Sequence, residues 1–407
     1  MSSKKIAAAI HPPVAASVAV RKYDERRDKA AVEELERRCE VGQPGKPAFV
    51  TDLMGDPVAR VRNFSSHIML VAEHGDGREI VGVIRCCIKT VTSGKLRSNE
   101  FPVYVKLAYI LGLRVSSSHR RLGIATKLVQ ELESWSKQNG AEYAYMATEC
   151  SNKPSLSLFT QKSNYVKFRN PAVLVQPVHG HYKSLPSDIA IVRVSPNLAE
   201  TMYCALFSNS EFFPKDIGVL LHNKLNLGTF IALSKRDFSD WNPETGDLPA
   251  SFSICSIWNT KEVFRLQVKG VSSLTHAACL GTRVVDAMLP WLKIPSIPNV
   301  FESFGFYFLY GLHMEGKDGS RLMKTLCKFA HNMARDDRGC RAVVAEVGQT
   351  DPVREAIPHW RKFSWDEDVW CIKKLQEDVK EQNCDDQWLK SSSISHSKII
   401  FVDPRDL

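Results

Sequence analysis

A short motif at residues 120–126 has the composition of a loop that binds a diphosphate. Arginines supply positive charge at its start, and two small residues alternate with larger ones where a ligand must approach the backbone. An apolar stretch precedes the motif and an amphipathic run follows it, which predicts a strand, a turn and a helix. The unpaired N–H groups and the positive dipole end of such a helix attract anions. The predicted contacts come from Arg120, Arg121, Leu122, Gly123, Ile124, Ala125 and Thr126.

The alternative for this motif is purely structural. From the pattern alone, a glycine that eases the turn and two solvated arginines explain residues 120–126 as well as a diphosphate does. The order of the elements around the motif favours the functional interpretation.

The composition describes an ordinary globular chain. Its 407 residues are long for one domain and comfortable for two. Hydrophobic residues make up 44% and charged residues 24%, as in soluble folded proteins. The net charge is +9, but no dense basic run occurs, so we expect a mildly basic surface without a direct nucleic-acid motif.

Cysteine usage and hydropathy indicate a reducing compartment. Eleven cysteines are scattered without a C-x-x-C pair, so neither a disulfide framework nor a metal site is predicted. The apolar run near Met1 is too short for a signal peptide, and no stretch is long enough to cross a bilayer. We expect a protein of the nucleus or cytoplasm that has no membrane partner.

Apolar periodicity predicts an α/β fold with a mixed sheet. The expected elements are a strand at 18–23, a helix capped by Asp24, a long loop at 42–66, a hairpin of 68–73 and 80–88, the central strand and helix around the motif, a strand at 143–149, a short helix at 154–163 and a return strand at 165–175.

This order, taken together with the motif, resembles the GCN5-related N-acetyltransferase (GNAT) superfamily. The diphosphate-binding pattern of that superfamily, Q/R-x-x-G-x-G/A between its fourth strand and third helix, is met by Arg120, Gly123 and Ala125. The resemblance covers roughly residues 18 to 175. It implies acetyl-CoA as the acetyl donor substrate.

Three segments resemble, more narrowly, the HOOKLESS-type plant N-acetyltransferases. They are residues 36–42, residues 51–57 with the pattern Thr-Asp-Leu and then Gly-Asp-Pro, and residues 88–91. The closer resemblance implies an acetyl-CoA-dependent protein in plant growth control. We expect a protein lysine or N-terminus as the acceptor, because the second half of the chain offers surface for a protein substrate.

The cofactor contacts of the family transfer to this sequence by position. Leu113 and Val115 lie where main-chain groups of the fourth strand pair with the pantetheine arm, although their side chains also fit a core. Gly112 is compatible with a bulge that separates the fourth and fifth strands. Asn152 matches a residue that often hydrogen-bonds the arm, and a plain helix cap explains it slightly better.

The catalytic groups are harder to place. Glu149, at the carboxyl end of the fifth strand, is the predicted general base, and an exposed strand-end charge is the alternative. Where many relatives carry a tyrosine as the acid this chain has Thr160, and where others carry a carboxylate it has Tyr109. Tyr145 and Tyr165 remain as candidate acids, although each also fits a core aromatic.

The pattern of the second half of the chain resembles that of the first. Tyr307 follows Tyr109 by 198 residues and Gly319 follows Gly123 by 196, which indicates an internal duplication. The copy lacks both arginines and has Asp318 beside the corresponding turn, so we expect it not to bind a diphosphate. A shared α/β order without duplication is the alternative.

The sequence therefore predicts tandem GNAT-like domains, of which the second is degenerate. The expected division is a tail at 1–17, a catalytic domain at 18–180, a second, non-catalytic domain at 181–377 and a polar segment at 378–407. Two functions are compatible with it: an N-acetyltransferase, or a non-catalytic acetyl-CoA-binding interaction or sensing protein. The oligomeric state stays open.

Overall fold

A computed structural model describes residues 18–39, 48–76, 78–97, 99–242, 247–364, 368–376 and 399–407. The strands in these residues are β1 (Val18–Lys22), β2 (Ala48–Asp52), β3 (Ser66–His74), β4 (Glu79–Leu96), β5 (Pro102–Val115), β6 (Tyr143–Glu149), β7 (Val166–Arg169), β8 (Ala172–Pro177), β9 (Ile189–Val194), β10 (Glu211–Pro214), β11 (Asn226–Ser234), β12 (Phe252–Asn259), β13 (Arg265–Lys269), β14 (Gly305–Glu315), β15 (Cys340–Val347) and β16 (Asp368–Lys374). The helices are α1 (Glu25–Arg38), α2 (Ile124–Gln138), α3 (Lys153–Ser157), α4 (Pro196–Phe207), α5 (Ile217–Leu221), α6 (Lys235–Asp240), α7 (Ser273–Met288) and α8 (Gly319–Asp336).

Two mixed sheets have the same strand order. The first runs β1-β3-β4-β5-β6-β16-β7, with β10 paired to β4, and the second runs β9-β11-β12-β14-β15-β8. In each sheet one parallel pair, β5 with β6 or β14 with β15, lies beside antiparallel neighbours. Helices α2 and α8 cover equivalent faces of the two sheets. The α/β fold class with a second GNAT-like unit is confirmed.

Each sheet contains a strand from the other half of the chain. Strand β16 lies between β6 and β7 in the first sheet, and β8 pairs with β15 in the second. The prediction of one return strand at residues 165–175 is therefore wrong. Pro171 separates β7 from β8, because proline lacks the N–H that a continuous ladder needs.

Local signals set several elements of the first half. Asp24 caps α1 by accepting a hydrogen bond from the Arg26 N–H. Gly75 takes a φ of 72° in the turn between β3 and β4, a conformation that favours glycine. These features agree with the expected helix and hairpin.

The loop expected at residues 42–66 contains a strand. Residues 40–47 lie outside the described residues, and β2 pairs with β13 of the second half. No local sequence signal marks β2, because its partner strand lies more than 200 residues away along the chain.

A glycine bulge interrupts the central strand of each sheet. Gly112 and Leu113 of β5 lie opposite one residue of β4, and Gly311 and Leu312 of β14 lie opposite one residue of β12. The two bulge glycines have φ of 62° and 59° and are 199 residues apart. This recurrence supports the internal duplication.

The largest hydrophobic core lies between the facing sheets. Its members include Tyr145 and Trp370 from the first sheet and Phe308 and Val344 from the second. Residues 399–407 also belong here: Phe401 is 1% exposed. The segment predicted to be polar is therefore buried at its end, while residues 378–398 and the expected tail at 1–17 lie outside the described residues.

Candidate active site

The turn before α2 presents a helix N-terminus to open space. Gly123 precedes the helix with a φ of 78°, and no side chain caps the first turn. A Cβ added to Gly123 would meet no atom within 4 Å, so there is room for a ligand above the first amides of α2. Arg120, Arg121 and Leu122 are exposed beside it. This arrangement fits a diphosphate.

An opening between β5 and β6 leads to this turn. The two strands pair only from Leu107–Tyr143 to Ile110–Met146. The bulge at Gly112 follows at once, so the strands separate where the family binds the pantetheine arm. Leu113 and Val115 turn their side chains into the core under α2, which leaves their backbone as the part that can face a ligand.

The Arg85 guanidinium fixes the bulge from below. Its Nη1 donates to the Gly112 carbonyl at 3.4 Å, its Nε to the Pro57 carbonyl at 2.5 Å and its Nη2 to Glu36 Oε1 at 2.5 Å. A Cβ on Gly112 would lie 2.6 Å from that same Nη1. Glycine is therefore required both by the φ of the bulge and by the contact beneath it.

Two carboxylates lie at the far end of the opening. Glu149, the last residue of β6, is partly exposed and lies directly opposite Asp368 of β16. Burial, and secondarily the charge of Glu149, raise the pKa of Asp368 to about 6. Like charges at opposed positions of a ladder repel each other, so this rim attracts a cation.

The remaining residues predicted for the site take other positions. Asn152 caps α3 by accepting from the Ser155 N–H, and its amide donates to Thr148 Oγ1. The Thr160 hydroxyl donates to the Leu156 carbonyl. Tyr165 is 2% exposed in the core under α2, where burial and then Glu133 raise its pKa well above the usual value. The structure does not bring Tyr165 to the opening, which makes it unsuitable as the acid.

Tyr145 is also held in the interior. Its ring stacks on Tyr109 with centroids 4.6 Å apart, and its hydroxyl donates to Asp406. Lys89 forms an ion pair with the same Asp406. Burial, and then the charge of Asp406, raise the pKa of Tyr145 well above its usual value, so this phenol does not provide a ready proton.

One carboxyl group beside the opening has no counterpart in the predictions. Glu346 of β15, in the second half, accepts a hydrogen bond of 3.1 Å from the indole N–H of Trp370. Trp370 lies in β16 opposite Ala147, the first residue of β6 beyond the last β5 pair. No local sequence signal marks Glu346, because only the strand exchange brings it to the first sheet.

The surroundings of Glu346 favour its neutral form. It is partly exposed, yet burial and then the charge of Asp368 raise its pKa to about 8. The Glu346 carboxyl group is thus surrounded largely by protein atoms, while part of the residue still reaches solvent.

A separate cavity of about 630 Å³ lies between α1 and the turn at residues 116–118. It shares Arg120 with the turn at residues 120–123 before α2. Two of its other arginines, Arg21 and Arg27, form ion pairs with Asp28 and Glu73. These ion pairs satisfy both arginines within the protein.

The corresponding turn of the second half is filled. Asp318, rather than Gly319, precedes α8, and its N–H donates to Ser251 Oγ. A Cβ on Gly316 would lie 2.4 Å from the Ala250 carbonyl oxygen. This turn therefore lacks the space found above Gly123. The bulge spacing also makes Phe308, rather than Tyr307, the counterpart of Tyr109.

Within the described ranges, no group of three or more His, Cys, Asp or Glu side chains is placed to hold a metal ion. The ten cysteines there are free. No helix in the part of the chain that the structure describes is long and apolar enough to cross a membrane.

Comparisons with known proteins agree with this geometry. The Acetyltransferase (GNAT) family profile matches residues 30–165. Probable N-acetyltransferase HLS1 of Arabidopsis thaliana is 48% identical, with 95% of this chain and 99% of that protein covered. Acetyl transferase GW6a of Oryza sativa subsp. japonica is 41% identical, over 96% of this chain and 97% of that protein.

A solved structure is similar in fold across both halves. N-myristoyltransferase of Saccharomyces cerevisiae with bound myristoyl-CoA has a TM-score of 0.52 and 11% identity, with 89% of this chain and 80% of that chain covered. At this identity the likeness concerns the fold alone. From the profile match and the near full-length similarity to HLS1, the chain belongs to the HLS1-type N-acetyltransferases of the GNAT superfamily.

Proposed function

We propose that this acetyltransferase moves the acetyl group of acetyl-CoA to an amine of a protein, either a lysine side chain or an N-terminus. One observation carries the proposal: the opening between β5 and β6 runs to an uncapped helix N-terminus with free space above Gly123. A thioester on a long arm with a diphosphate matches an opening followed by an anion site.

The donor would be held mainly by backbone groups. In this proposal, Leu113 and Val115 would contribute main-chain groups to the pantetheine arm, and Asn152, the cap of α3, would hydrogen-bond the same arm. The diphosphate would contact Arg120, Arg121, Leu122, Gly123, Ile124, Ala125 and Thr126. Acetyl-CoA supplies the activated acetyl group, and no metal is needed for this reaction.

The acidic rim supports a cationic acceptor. Glu149 and Asp368 oppose each other in the ladder, and an ammonium group between them would relieve their repulsion. A lysine or an N-terminal amine carries that charge before transfer. Glu149 stays a candidate for the general base, acting directly or through water.

A second function rests on the missing acid. Thr160 and Tyr165 are both engaged or buried away from the opening, so a protein that binds acetyl-CoA without turnover is the competing proposal. Under either proposal the protein would bind acetyl-CoA. Only the enzyme would release free coenzyme A thiol when an amine is added.

The test of the donor site compares two substitutions at one position. Gly123→Asp puts a carboxylate where the diphosphate would lie, and should weaken acetyl-CoA binding roughly 10- to 1,000-fold. Gly123→Asn has nearly the same shape, tolerates a positive φ and is neutral, so it should cost less than about 10-fold. Isothermal titration calorimetry with acetyl-CoA measures both.

Gly281→Asp is the matched control, because Gly281 lies in α7 with no atom within 4 Å of an added Cβ. It should bind acetyl-CoA as the wild type does. Equal affinities for Gly123→Asp and Gly123→Asn would show that strain, not charge, acts there. Normal binding by Gly123→Asp would refute the donor site.

The wider setting is part of the same proposal. The free cysteines of the described residues suit the nucleus or cytoplasm. Both relatives named above are plant proteins, and the proposal includes the role in plant growth regulation that the resemblance to the HOOKLESS-type proteins implies. An acetylome comparison between plants with and without the protein would identify the acceptor.

A further inference from the structure

We propose that Glu346, contributed by the second half of the chain, is the general base that deprotonates the acceptor amine in the opening of the first half. This inference rests on the proposed N-acetyltransferase function and identifies a catalytic residue for it. It gives the second half, which lacks an anion site of its own, a direct part in the chemistry.

The direction of the Glu346 side chain follows from the strand. Ala342 and Val344 of β15 belong to the core between the two sheets, whereas Val343 and Ala345 face α8. Because side chains alternate along a strand, Glu346 points toward the first sheet. Its hydrogen bond with the Trp370 indole confirms that direction.

The position of Glu346 follows from Trp370. This indole is 3% exposed and lies opposite Ala147 in the ladder of β16 with β6. Ala147 is the first residue of β6 after pairing with β5 has ended. Glu346 therefore stands on the inner face of the first sheet, next to β16 and one strand away from the point where β5 and β6 separate. In our proposal, the thioester of the donor ends at that point.

Glu346 and Glu149 differ in setting. Glu149 lies on β6 two residues beyond Ala147, at the rim with Asp368. Glu346 lies deeper, against the indole, and remains partly exposed. A rim carboxylate can attract an ammonium group, but the proton acceptor must reach the nitrogen when that nitrogen is beside the acetyl carbon.

Four charged or titratable groups act on Glu346 from the elements around it. Asp368 of β16 and Asp406 of the C-terminal segment raise its pKa, while Lys89 of β4 lowers it. Tyr109 of β5 lies within electrostatic reach as well. With burial, they place the pKa of Glu346 at about 8, close to the working range of a general base.

The reaction balances with these groups. The Glu346 carboxylate takes one proton from the ammonium group, and the freed lone pair attacks the acetyl carbon. A C–N bond forms and the C–S bond breaks, so that coenzyme A leaves as a thiolate. The thiolate takes the second proton lost by nitrogen, and Glu346 returns its proton to water.

The decisive variant is Glu346→Gln, which keeps the shape and the indole contact but cannot take a proton. We expect unchanged acetyl-CoA affinity and a kcat roughly 100- to 10,000-fold lower. As the pH falls, the remaining activity of the variant should decrease only because the amine substrate becomes protonated. The assay follows thiol release with acetyl-CoA and poly-L-lysine from pH 6 to 10, using the full chain.

Two further variants separate catalysis from structure. Asp368→Asn removes the charge that, after burial, contributes most to the raised Glu346 pKa, so the acid limb of kcat should move down by roughly one pH unit while turnover persists. Glu315→Gln alters a carboxylate of β14 that is 60% exposed and should leave rate and pH profile unchanged.

The outcomes distinguish this inference from the function on which it rests. If Glu346→Gln keeps the wild-type turnover and the wild-type pH profile, the inference about Glu346 is overturned, while the proposed function stands. The same holds if Glu149→Gln, and not Glu346→Gln, removes the acid limb. If the wild type binds acetyl-CoA but releases no thiol with any amine, the proposed function fails and the inference fails with it.

Discussion

At the scale of single residues, Glu346 has a measurable effect on stability as well as on catalysis. A carboxyl group with a pKa of about 8 in the folded chain is protonated there across a range in which the unfolded chain has lost its proton. The folded state binds more protons, so stability falls as pH rises. A group positioned for proton transfer thus lowers the stability of the protein at alkaline pH.

The pH dependence of unfolding tests this cost. As pH rises from the ordinary glutamate pKa of 4.5 to about 8, the free energy of unfolding of the wild type should fall relative to that of Glu346→Gln. Above that pH range the difference should stay constant. Because the group is partly exposed, we expect a gain for the variant of only about 1–3 kcal/mol at pH 9. Urea unfolding at pH 5 and pH 9 measures it. A difference that does not change with pH would contradict the raised pKa.

The same scale shows what sequence could reveal about the site. The turn at Gly123 was predictable, because a glycine before a helix start is encoded within a few consecutive residues. The diphosphate contacts of this turn stay a prediction. Glu346 was not predictable, because a glutamate in a strand acquires its role only through Trp370 and the rim. Tyr165 was proposed because a phenol could replace the acid where the family position holds Thr160, and residue type alone carries no information on the face that a side chain occupies.

At the scale of elements, the bulge of β5 lies where β5 and β6 stop pairing, which is where we propose that the donor enters. Without the extra residue at Gly112, β5 would continue to pair with β6 and close the opening. The Arg85 guanidinium supports the bulged backbone and ties it to Glu36 of α1. The strand, its neighbour and the helix thus form one rigid frame.

Gly112→Ala tests this frame. The substitution puts a Cβ at positive φ and 2.6 Å from Arg85 Nη1, so Arg85 or the bulge must move. Gly75→Ala is the control, because Gly75 has a similar φ but no atom within 4 Å. Strain alone should cost about 1–2 kcal/mol in both, and overpacking a further 1–3 kcal/mol, roughly, in Gly112→Ala.

Urea unfolding gives those costs, and acetyl-CoA titration should show weaker binding for Gly112→Ala only. Equal effects of the two substitutions would mean that the Arg85 contact does not set the bulge.

Elements with local signals were predictable and elements defined by distant partners were not. The β3–β4 hairpin and α2 follow from turn residues and helical periodicity. Strand β2 was missed because β13, in the other half, is what makes it a strand.

At the scale of the whole molecule, the two halves cannot be separated as consecutive domains. Strand β16 fills the first sheet between β6 and β7, and β8 lies at the edge of the second. Residues 399–407 lie between the sheets, where Asp406 contacts Lys89 of β4. Duplication was visible in the sequence, but the exchange was not, because β8 and β16 carry no residue pattern that specifies which sheet they join.

A single cooperative unfolding transition is expected from this exchange. Consecutive independent domains would unfold in separate steps. Here each sheet contains a strand contributed by the other half of the chain, so opening one sheet also disturbs the other half. Hydrogen exchange read by mass spectrometry across a urea series should show peptides of β3–β4 and β11–β12 losing protection together. Peptides of α7, where Leu274 is 84% exposed, should open earlier and show that local opening is detectable.

Ile372→Ala sharpens the same measurement. Ile372 lies in β16 and is fully buried in the core between the sheets, so its truncation should cost about 2–5 kcal/mol. Both sets of peptides should then lose protection at the same lower urea concentration. If the β11–β12 peptides kept their wild-type midpoint while the β3–β4 peptides shifted, the halves would be energetically independent, and the second half could not hold Glu346 rigidly against the first.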